Sequence, residues 1–503
     1  MSSGAECVLP AILPVDMFLM RRVTLVFAIL FASILSLHGQ ARQGEASPVA
    51  QPSKASADCT EDAARVPKGY SRVYIAQRNA KDGSGRSSSD ARDASTAASF
   101  DTILRCLSEG CPAGPSEKAV PKTENLIVCI GPGIFQTKGT YDFLIAVPRT
   151  SQQGFTIGKG WKIHGSGVSK TTLQLIDYRR SVEPKDPETL PAATAHGVVL
   201  STNSDDASGI EISDLTIDGN YPQLKAQAKQ QGIKALNVEA IHLRSNEGGH
   251  WIHQVNVINA SGEVGGMFGT FEIFPVWIVS VSNSDPTQNK NNLIENVTMS
   301  QFHGGLCTAI AVANALAEVR NNYVDGYQIG YGGWSMGPVW FHDNVAVHTD
   351  YGFNIDSLKN DGVKIESNRI IAPKKFGLVI GGGGVYTRFH IFQNTIQIKD
   401  GGVIGIVFQG NVTKSVIESN TLTAERSAAG NSLAIKNYSA GRQSGANQDN
   451  IYQSNRIDSS LKTGFYAPSQ QSRNCFFGNV DERGNPRKDL KDNHAGSCLA
   501  AAK

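Results

Sequence analysis

The sequence has little excess charge of either sign. Its 503 residues include 47 Lys and Arg against 45 Asp and Glu, which gives a net charge of +2. Proteins that bind nucleic acid usually carry a marked basic surplus. The balance therefore gives no electrostatic support for a nucleic-acid partner.

Metal-binding cysteine pairs and helical hydrophobic patterns are also scarce. The eight Cys residues contain no CxxC pair and no other metal-ligand spacing, so no metal site of this kind is predicted. One segment, 93–108, has Phe100, Ile103, Leu104 and Leu107 on a single helical face. Elsewhere the apolar residues form short β runs separated by Gly, Asn, Asp and Ser, which predicts an all-β protein.

A long apolar run, residues 23–37, lies near the N-terminus. It follows two arginines and precedes the small residues "GQA", the pattern of a secretory signal. About 15 residues are short for a membrane span. Residues 1–41 are therefore predicted to be a signal peptide with Met17 as the alternative start, and a retained anchor is the competing interpretation. The mature protein is expected to be secreted or periplasmic, with no membrane contact.

The segment after the signal and the remaining cysteines fit an exported protein. Residues 42–66 are rich in small and polar residues, which predicts a flexible linker. Cys475 and Cys498 enclose much of a polar tail, 481–503, and are predicted to form a disulfide. Cys307 is expected to be a buried thiol. Two further disulfides are expected, with their pairing open, among Cys59, Cys106, Cys111 and Cys129.

An asparagine recurs inside short apolar runs such as "GVKIESNRII" at 362–371. The spacings between successive members are 22, 24, 26, 26 and 35 residues, and repeats of this length indicate a stacked array. Each unit of about 24 residues contains three short β runs and no helix-length gap. This pattern predicts a right-handed parallel β-helix over residues 67–480, with the helix at 93–108 covering its first coil. The recurrent residues are Asn322, Asn344, Asn368, Asn394, Asn420 and Asn455.

The recurrent asparagines have a predicted structural role. Asn tolerates the left-handed backbone region better than other non-glycine residues, so each is expected to form the corner between two strands. Stacked coils would place each amide above the next, and the resulting ladder would satisfy buried polar groups.

The repeat resembles that of the right-handed parallel β-helix superfamily, which contains pectate lyases and polygalacturonases. The stretches "NLIVCIGPGIFQTKG" and "GWKIHGSG" are also similar to the N-terminal parts of such proteins. The resemblance covers about residues 70–480. It implies a polysaccharide ligand in a groove along one stack of strands.

After each Asn corner the chain forms one short strand and then a second strand. The candidate groove lies on the stack made by these second strands. In "YGFNIDS", alternation places Asn354 and Asp356 outward, and an earlier strand, "AIHLRSN", places His242 and Arg244 outward. The predicted catalytic residues are Asp356, Asp350, His348 and Lys375. The predicted substrate-binding residues are Asn354, Lys374, Arg388, Trp334, Tyr331, His303 and Lys436.

Two reactions use such groups. Glycoside hydrolysis needs an acid and a second carboxylate, for which Asp350 and Asp356 are the candidates. Cleavage of a uronate polymer by a lyase needs a base at C5 and cations that neutralise the substrate carboxylate. The lyase alternative would allow a bound calcium ion, and no other cofactor is predicted.

The sequence lacks the polygalacturonase set of NTD, paired DD, GHG and RIK, and it lacks the acidic calcium cluster of pectate lyases. It therefore predicts a secreted, monomeric β-helix that acts on an acidic polysaccharide as a lyase or hydrolase. The alternatives are a non-catalytic carbohydrate-binding solenoid and a uronan epimerase.

Overall fold

A computed structural model describes residues 59, 66–78, 83–111, 120–140, 154–180, 194–202, 207–262, 273–280, 291–305, 307–334, 338–356, 359–381, 385–409, 411–428, 431–437, 447–465 and 474–490. The predicted signal peptide, nearly all of the linker and the tail beyond residue 490, including Cys498, lie outside these ranges. Among the described residues, no helix is both long and apolar enough to cross a membrane.

The described strands form three sheets whose named strands pair in parallel, with one short antiparallel exception. The large sheet has 22 strands: Ser71–Ala76, Arg92–Asp93, Leu126–Ile130, Gly133–Thr137, Lys162–His164, Thr171–Leu175, Glu211–Asp218, Trp251–Ile258, Asn292–Ser300, Ala317–Arg320, Tyr323–Asp325, Val339–His342, Val345–Val347, Lys364–Glu366, Arg369–Ile371, His390–Phe392, Thr395–Ile398, Val416–Glu418, Thr421–Ala424, Ile451–Gln453, Arg456–Ile457 and Cys475–Phe477.

The other two sheets complete the coils. The 11-stranded sheet contains Arg179–Arg180, Thr194–Ser201, Ala235–Ser245, Val276–Ser280, Thr308–Ala313, Ile329–Trp334, Tyr351–Asp356, Phe376–Ile380, Ile404–Phe408, Leu433–Asn437 and Lys462–Phe465. The four-stranded sheet contains Lys359–Asp361, Val385–Thr387, Asn411–Thr413 and Asn447–Gln448. Short 3₁₀ helices occur at Arg426–Ala428 and Lys488–Leu490.

A single coil shows how the chain winds. Lys359–Asp361 lies in the four-stranded sheet, Lys364–Glu366 and Arg369–Ile371 form two arms of the large sheet, and Phe376–Ile380 lies in the 11-stranded sheet. Each strand pairs in parallel with its equivalent one coil later. The predicted right-handed parallel β-helix is thus confirmed. The sequence missed the short strand of the four-stranded sheet, which makes a fourth strand in these coils.

The asparagine ladder is present and continuous. In Asn394, Oδ1 accepts hydrogen bonds from the backbone N–H and the Nδ2 of Asn368, both at 3.0 Å. Its own Nδ2 donates to Asn420 Oδ1 at 2.9 Å and to the Ile365 carbonyl at 2.8 Å. The same pattern links all six predicted members and extends to Asn479. All seven side chains are buried.

The predicted backbone conformation of these asparagines was wrong. The left-handed residue at each corner is the one before the ladder Asn, for example Ser367 (φ 54°) before Asn368 and Gln393 (φ 57°) before Asn394. The ladder residue itself is needed for its amide, which donates to one coil and accepts from another. Asp343 and Ser419 occupy the same left-handed position in other coils, so the corner accepts several residue types.

A column of glycines sets which residues of the 11-stranded sheet face inward. A Cβ at Gly352 would lie 2.5 Å from the Gly377 carbonyl oxygen and 2.6 Å from Cγ2 of Ile370, and Gly377 and Gly405 are similarly crowded. A side chain is thereby excluded at this position in these coils. The residue after each glycine packs in the core: Phe353, Leu378 and Ile406 are fully buried.

In the coil after Gly405, Ala434 takes the place of the glycine, as the strand register shows. Ile435 is therefore inward and Lys436 outward. Leu433 packs with Ile404 and Val407 in a separate cluster on the outer side.

Both ends of the β-helix are covered. The predicted N-terminal helix is Ala97–Glu109, and Phe100 and Leu104 are buried on its inner face. At the other end, Arg487 is 8% exposed and donates to the carbonyls of Asp458 and Leu461. Residues up to 490 of the predicted tail thus pack against the last coil. A second helix, Tyr221–Gln230, is inserted between strands.

Disulfides fasten the N-terminal end. Cys59 pairs with Cys129, and Cys106 pairs with Cys111 at the end of the N-terminal helix, which settles the pairing that the sequence left open. Cys307 is a buried free thiol, as predicted. Cys475 is disulfide-bonded, and its predicted partner, Cys498, lies outside the described residues.

Replacing Asn394 with Ala should lower the free energy of unfolding by about 3 to 5 kcal/mol, because it leaves the buried donors of Asn368 and the Ile365 carbonyl without their partner. Chemical denaturation followed by circular dichroism measures the change. Exposed Asn431→Ala is the matched control and should shift the value by less than about 0.5 kcal/mol. Equal effects of the two substitutions would show that the ladder does not stabilise the coils.

Asp101, in the N-terminal helix, should make the free energy of unfolding depend on pH. This carboxylate accepts hydrogen bonds from the Thr137 hydroxyl and the Lys138 N–H, but burial outweighs them and raises its pKa to about 6 from 3.8. A raised carboxyl pKa means that the folded state binds the proton more tightly than the unfolded chain. This stabilisation is full below about pH 4 and is lost as the pH rises through about 6.

The lost contribution should be on the order of 2 to 3 kcal/mol. Urea denaturation of the wild type and of Asp101→Asn between pH 4 and 7 gives the difference between their free energies of unfolding. As the pH rises, the free energy of unfolding of the wild type should fall relative to that of Asp101→Asn. For Glu124→Gln, an exposed-site control, the free energy of unfolding should differ from that of the wild type by an amount that does not change with pH. If the difference for Asp101→Asn is also constant, the assignment of the pH dependence to Asp101 is contradicted.

Candidate functional site

The outer face of the 11-stranded sheet carries one row of side chains that runs across successive coils. Strand register aligns His242, Trp277, Ala311, Gly332 and Asn354 along this row. It is the face on which the sequence predicted a groove. Polar and titratable groups are concentrated at its N-terminal end.

At that end, the carboxylate of Glu239 lies between two imidazoles. Its Oε1 is 3.5 Å from Nε2 of His196, and its Oε2 is 3.5 Å from Nδ1 of His242. The side chains of Glu239, His196 and His242 are 7%, 11% and 1% exposed. These three residues are called the Glu239 cluster below.

A β-bulge brings Glu239 and His242 to the same side of their strand. Residues three apart would face opposite sides of a regular strand. Here the N–H groups of Ala240 and Ile241 both donate to the Pro275 carbonyl, and both side chains pack in the core. The extra residue turns His242 back to the outer face beside Glu239.

Aromatic and cationic residues surround the cluster. The indole of Trp277 stacks on His242 with ring centroids 4.2 Å apart. Arg179 pairs directly with His196 in the short antiparallel ladder, so the two side chains share a face. Arg244 follows His242 on the same outer face, and its backbone is held by the Thr202 hydroxyl.

One oxygen of Glu239 lacks a hydrogen bond. Within the described part of the chain, Oε2 is buried and accepts none. Buried polar atoms in native proteins are nearly always hydrogen-bonded. An exception inside a cluster of titratable groups is a physical reason to consider it a functional site.

The sequence located this site only in part. The alternation in "AIHLRSN" placed His242 and Arg244 outward. Because it does not reveal the bulge, the same alternation would put His242 and Glu239 on opposite faces of the strand. His196 comes from a strand about 40 residues earlier. Nothing in the local pattern indicates that these strands are neighbours.

The predicted catalytic residues Asp350 and Asp356 lie at opposite ends of one strand. Asp350 immediately precedes the strand Tyr351–Asp356 and Asp356 ends it. At about 3.3 Å per residue, their Cα atoms are separated by roughly 20 Å. Two carboxylates that act on one glycosidic bond lie about 5 to 9.5 Å apart. The prediction that Asp350 and Asp356 form such a pair is therefore wrong.

Asp350 and His348 have partners at a corner of the coil. Lys375 Nζ lies 2.8 Å from Asp350 and Lys374 Nζ lies 4.0 Å from it, so stacked coils bring these three residues together. His348 Nδ1 lies 3.0 Å from Asp325. These contacts join neighbouring coils on a partly exposed surface, where a single ion pair contributes little to stability.

Two predicted substrate-binding residues have internal contacts instead. Tyr331 is fully buried, with its hydroxyl near the carbonyls of Asn322 and Val345 at 2.9 and 3.0 Å, so its predicted role in substrate binding is wrong. Arg388 forms an ion pair with Asp361 beside the four-stranded sheet, away from the predicted face.

The other predicted binding residues lie at several places. His303 Nε2 is 2.8 Å from Asn259 Oδ1, and burial and nearby Lys225 lower the pKa of the imidazole. Asn354 and Lys436 occupy one outer row, separated by Val379 and Val407. The backbone of Trp334 aligns with Asp356, and its side chain lies outside what the structure describes.

No group of three or more His, Cys, Asp or Glu side chains in the described ranges is placed to hold a metal ion. The calcium ion that the lyase alternative would allow stays a prediction.

Comparison with known proteins finds similarity of structure only. No family model matches the chain, and neither does any curated protein. The A-module of mannuronan C-5 epimerase AlgE6 from Azotobacter vinelandii is 13% identical, with 72% of this chain and 91% of that chain covered and a TM-score of 0.34.

Two further structures show similar values. An exopolygalacturonase from Thermotoga maritima is 12% identical, covers 71% of this chain and 84% of its own, and has a TM-score of 0.35. The surface adhesin PfbA of Streptococcus pneumoniae is 13% identical, covers 76% and 86%, and has a TM-score of 0.37. These likenesses concern the parallel β-helix fold alone.

Proposed function

We propose that the protein is an exported enzyme that cleaves an acidic, uronate-containing polysaccharide by β-elimination at the Glu239 cluster. The observation that carries the proposal is the buried carboxylate held between two imidazoles on the outer face of the 11-stranded sheet. The two disulfides support export, because such bonds form in oxidising compartments.

The composition of the cluster favours elimination over hydrolysis. Hydrolysis needs a second carboxylate near the first, whereas the Glu239 cluster consists of one carboxylate and two imidazoles. Elimination needs a base, an acid and a cation for the uronate carboxylate. Arg179 and Arg244 flank the cluster, and a guanidinium binds a carboxylate through two parallel hydrogen bonds.

The proposed reaction uses the two imidazoles in different protonation states. One neutral imidazole removes the C5 proton, the electrons form the C4–C5 double bond, and the C4–O4 bond breaks. The other imidazole, protonated, gives its proton to O4 of the leaving sugar. Glu239 lies 3.5 Å from a nitrogen of each ring, so it can pass the proton back between them after each turnover.

Burial of the cluster favours attack at a chain end. His242 and Glu239 are almost fully enclosed, and His196 is the most exposed member of the three. The middle of a polymer would need an open groove at the reacting bond. We therefore expect release of short unsaturated products from chain ends.

A uronan C5-epimerase is the second candidate, and the presence of two imidazoles on one carboxylate favours it. Epimerisation needs a base that removes the C5 proton and an acid that returns one to the opposite face of the ring. The first step is shared with elimination, but no glycosidic bond breaks. Exchange of C5 hydrogen for solvent deuterium without unsaturated product would indicate this reaction.

Replacing Glu239 with Gln or His242 with Asn should lower activity on the uronan that the wild type cleaves by about 100-fold or more, the usual contribution of general acid–base groups. The assay follows the ultraviolet absorbance of unsaturated uronate on alginate, polygalacturonate and glycosaminoglycan substrates. Asp356→Asn is the matched control, because it changes a carboxylate on the same face outside the cluster.

Several outcomes would contradict the proposal. Wild-type rates in Glu239→Gln would remove the cluster from the reaction, and an equal loss in Asp356→Asn would move the site to the predicted residues. Neither unsaturated product nor C5 exchange on any uronan would leave the binding solenoid as the better interpretation. Unchanged melting temperatures show that losses are not due to unfolding.

A further inference from the structure

A second outward surface carries aromatic side chains that the proposed reaction does not use. It lies on the first arm of the large sheet, before the left-handed corner. Three strands there each present a stacked pair of rings two residues apart. The pairs are Trp251–His253, Trp340–His342 and His390–Phe392, with centroids 3.9, 4.0 and 4.1 Å apart. These six residues are called the aromatic stripe.

The three pairs are aligned along the β-helix axis. Strand register places Trp251, Trp340 and His390 in one row, with three strand steps between the first two and two between the last two. At about 4.8 Å per step, these separations are roughly 14 and 10 Å. A strand step is close to the length of one sugar unit in an extended chain, so a polysaccharide along the axis would meet the pairs in phase.

The tryptophans of the stripe are unusually open. Trp251 and Trp340 are 38% and 37% exposed, whereas Trp161 is fully buried and Trp277 is 8% exposed. Each exposed indole is fixed on one face by its histidine and at Nε1 by a carboxylate. Trp251 donates to Glu295 at 3.0 Å and Trp340 to Glu366 at 2.9 Å. Rings held in place lose little entropy when a ligand binds.

The strands between the tryptophans carry a connected polar network. Arg320 bonds to Glu295 at 2.8 Å and to Glu318 at 2.7 Å, and Glu318 also lies 3.1 Å from Nε2 of His342. Together with the Trp251–Glu295 bond, this network spans the interval between the two tryptophans. It supplies donors and acceptors that match sugar hydroxyls.

We propose that the aromatic stripe binds an extended neutral polysaccharide that runs parallel to the β-helix axis, with sugar rings stacked on Trp251 and Trp340. Separate aromatic rings set among hydrogen-bonding groups suit a sugar chain, whose rings have apolar faces and polar edges. A protein partner would instead use a contiguous apolar patch.

Charge decides between neutral and acidic glycans. The network and its neighbours contain the carboxylates of Glu295, Glu318 and Glu366 against the cations of Arg320 and Lys364. A uronan would meet no positive excess here, in contrast to the arginines that flank the Glu239 cluster. The stripe would therefore hold the enzyme on a neutral polymer that accompanies its acidic substrate.

The test uses affinity electrophoresis of the full chain in native gels that contain xyloglucan, arabinoxylan, galactomannan or hydroxyethylcellulose. We expect at least one of these neutral polymers to retard the protein. Any retardation by polygalacturonate should be the same in the wild type and in the Trp→Ala variants, because the acidic polymer should not bind this surface. Trp340→Ala and Trp251→Ala should each weaken binding by about tenfold or more. Trp340→Phe should restore part of the affinity, because it returns an aromatic face.

Two controls separate the stripe from folding and from the proposed reaction. Val385→Ala, which removes an exposed side chain in the four-stranded sheet, should leave binding unchanged. Glu239→Gln should also leave it unchanged, so failure of one proposal does not imply failure of the other. The inference is overturned if none of the neutral polymers retards the protein, or if both Trp→Ala variants, folded as judged by melting, bind as the wild type does.

Discussion

The asparagine ladder is the interaction on which the rest of the structure depends. Each corner of the β-helix turns the chain sharply and leaves backbone N–H and carbonyl groups inside the solenoid. A side-chain amide carries two N–H donors and an acceptor oxygen, so one stacked Asn per coil satisfies the coils on either side of it. The ladder runs from Asn322 to Asn479, and it keeps successive coils in register.

That register gives the outer faces their chemistry. Because each strand pairs with its equivalent one coil later, side chains separated by more than 20 residues lie in continuous rows. Bulges then select which residue of a strand joins a row. The bulge at Ala240–Ile241 places His242 beside Glu239, and the glycine column places Asn354 on the outer side.

The two proposed sites differ in burial and in charge, and each suits a different task. The Glu239 cluster is enclosed and flanked by arginines, which suits proton transfer on a charged sugar at a chain end. The aromatic stripe is open, rigid and without positive excess, which suits binding of a neutral chain along the axis. They lie on different sheets, so the burial and charge of one site do not constrain those of the other.

The sequence by itself determined the β-helix, its coil length, the ladder and the N-terminal helix, because these follow from local patterns that recur along the chain. It also determined that Cys307 is buried. Only the tertiary structure decided the disulfide pairing, the left-handed residue before each ladder Asn, and the separation of Asp350 from Asp356. It alone brought His196 to Glu239, since the meeting of distant strands depends on bulges and coil lengths that no single stretch of sequence encodes.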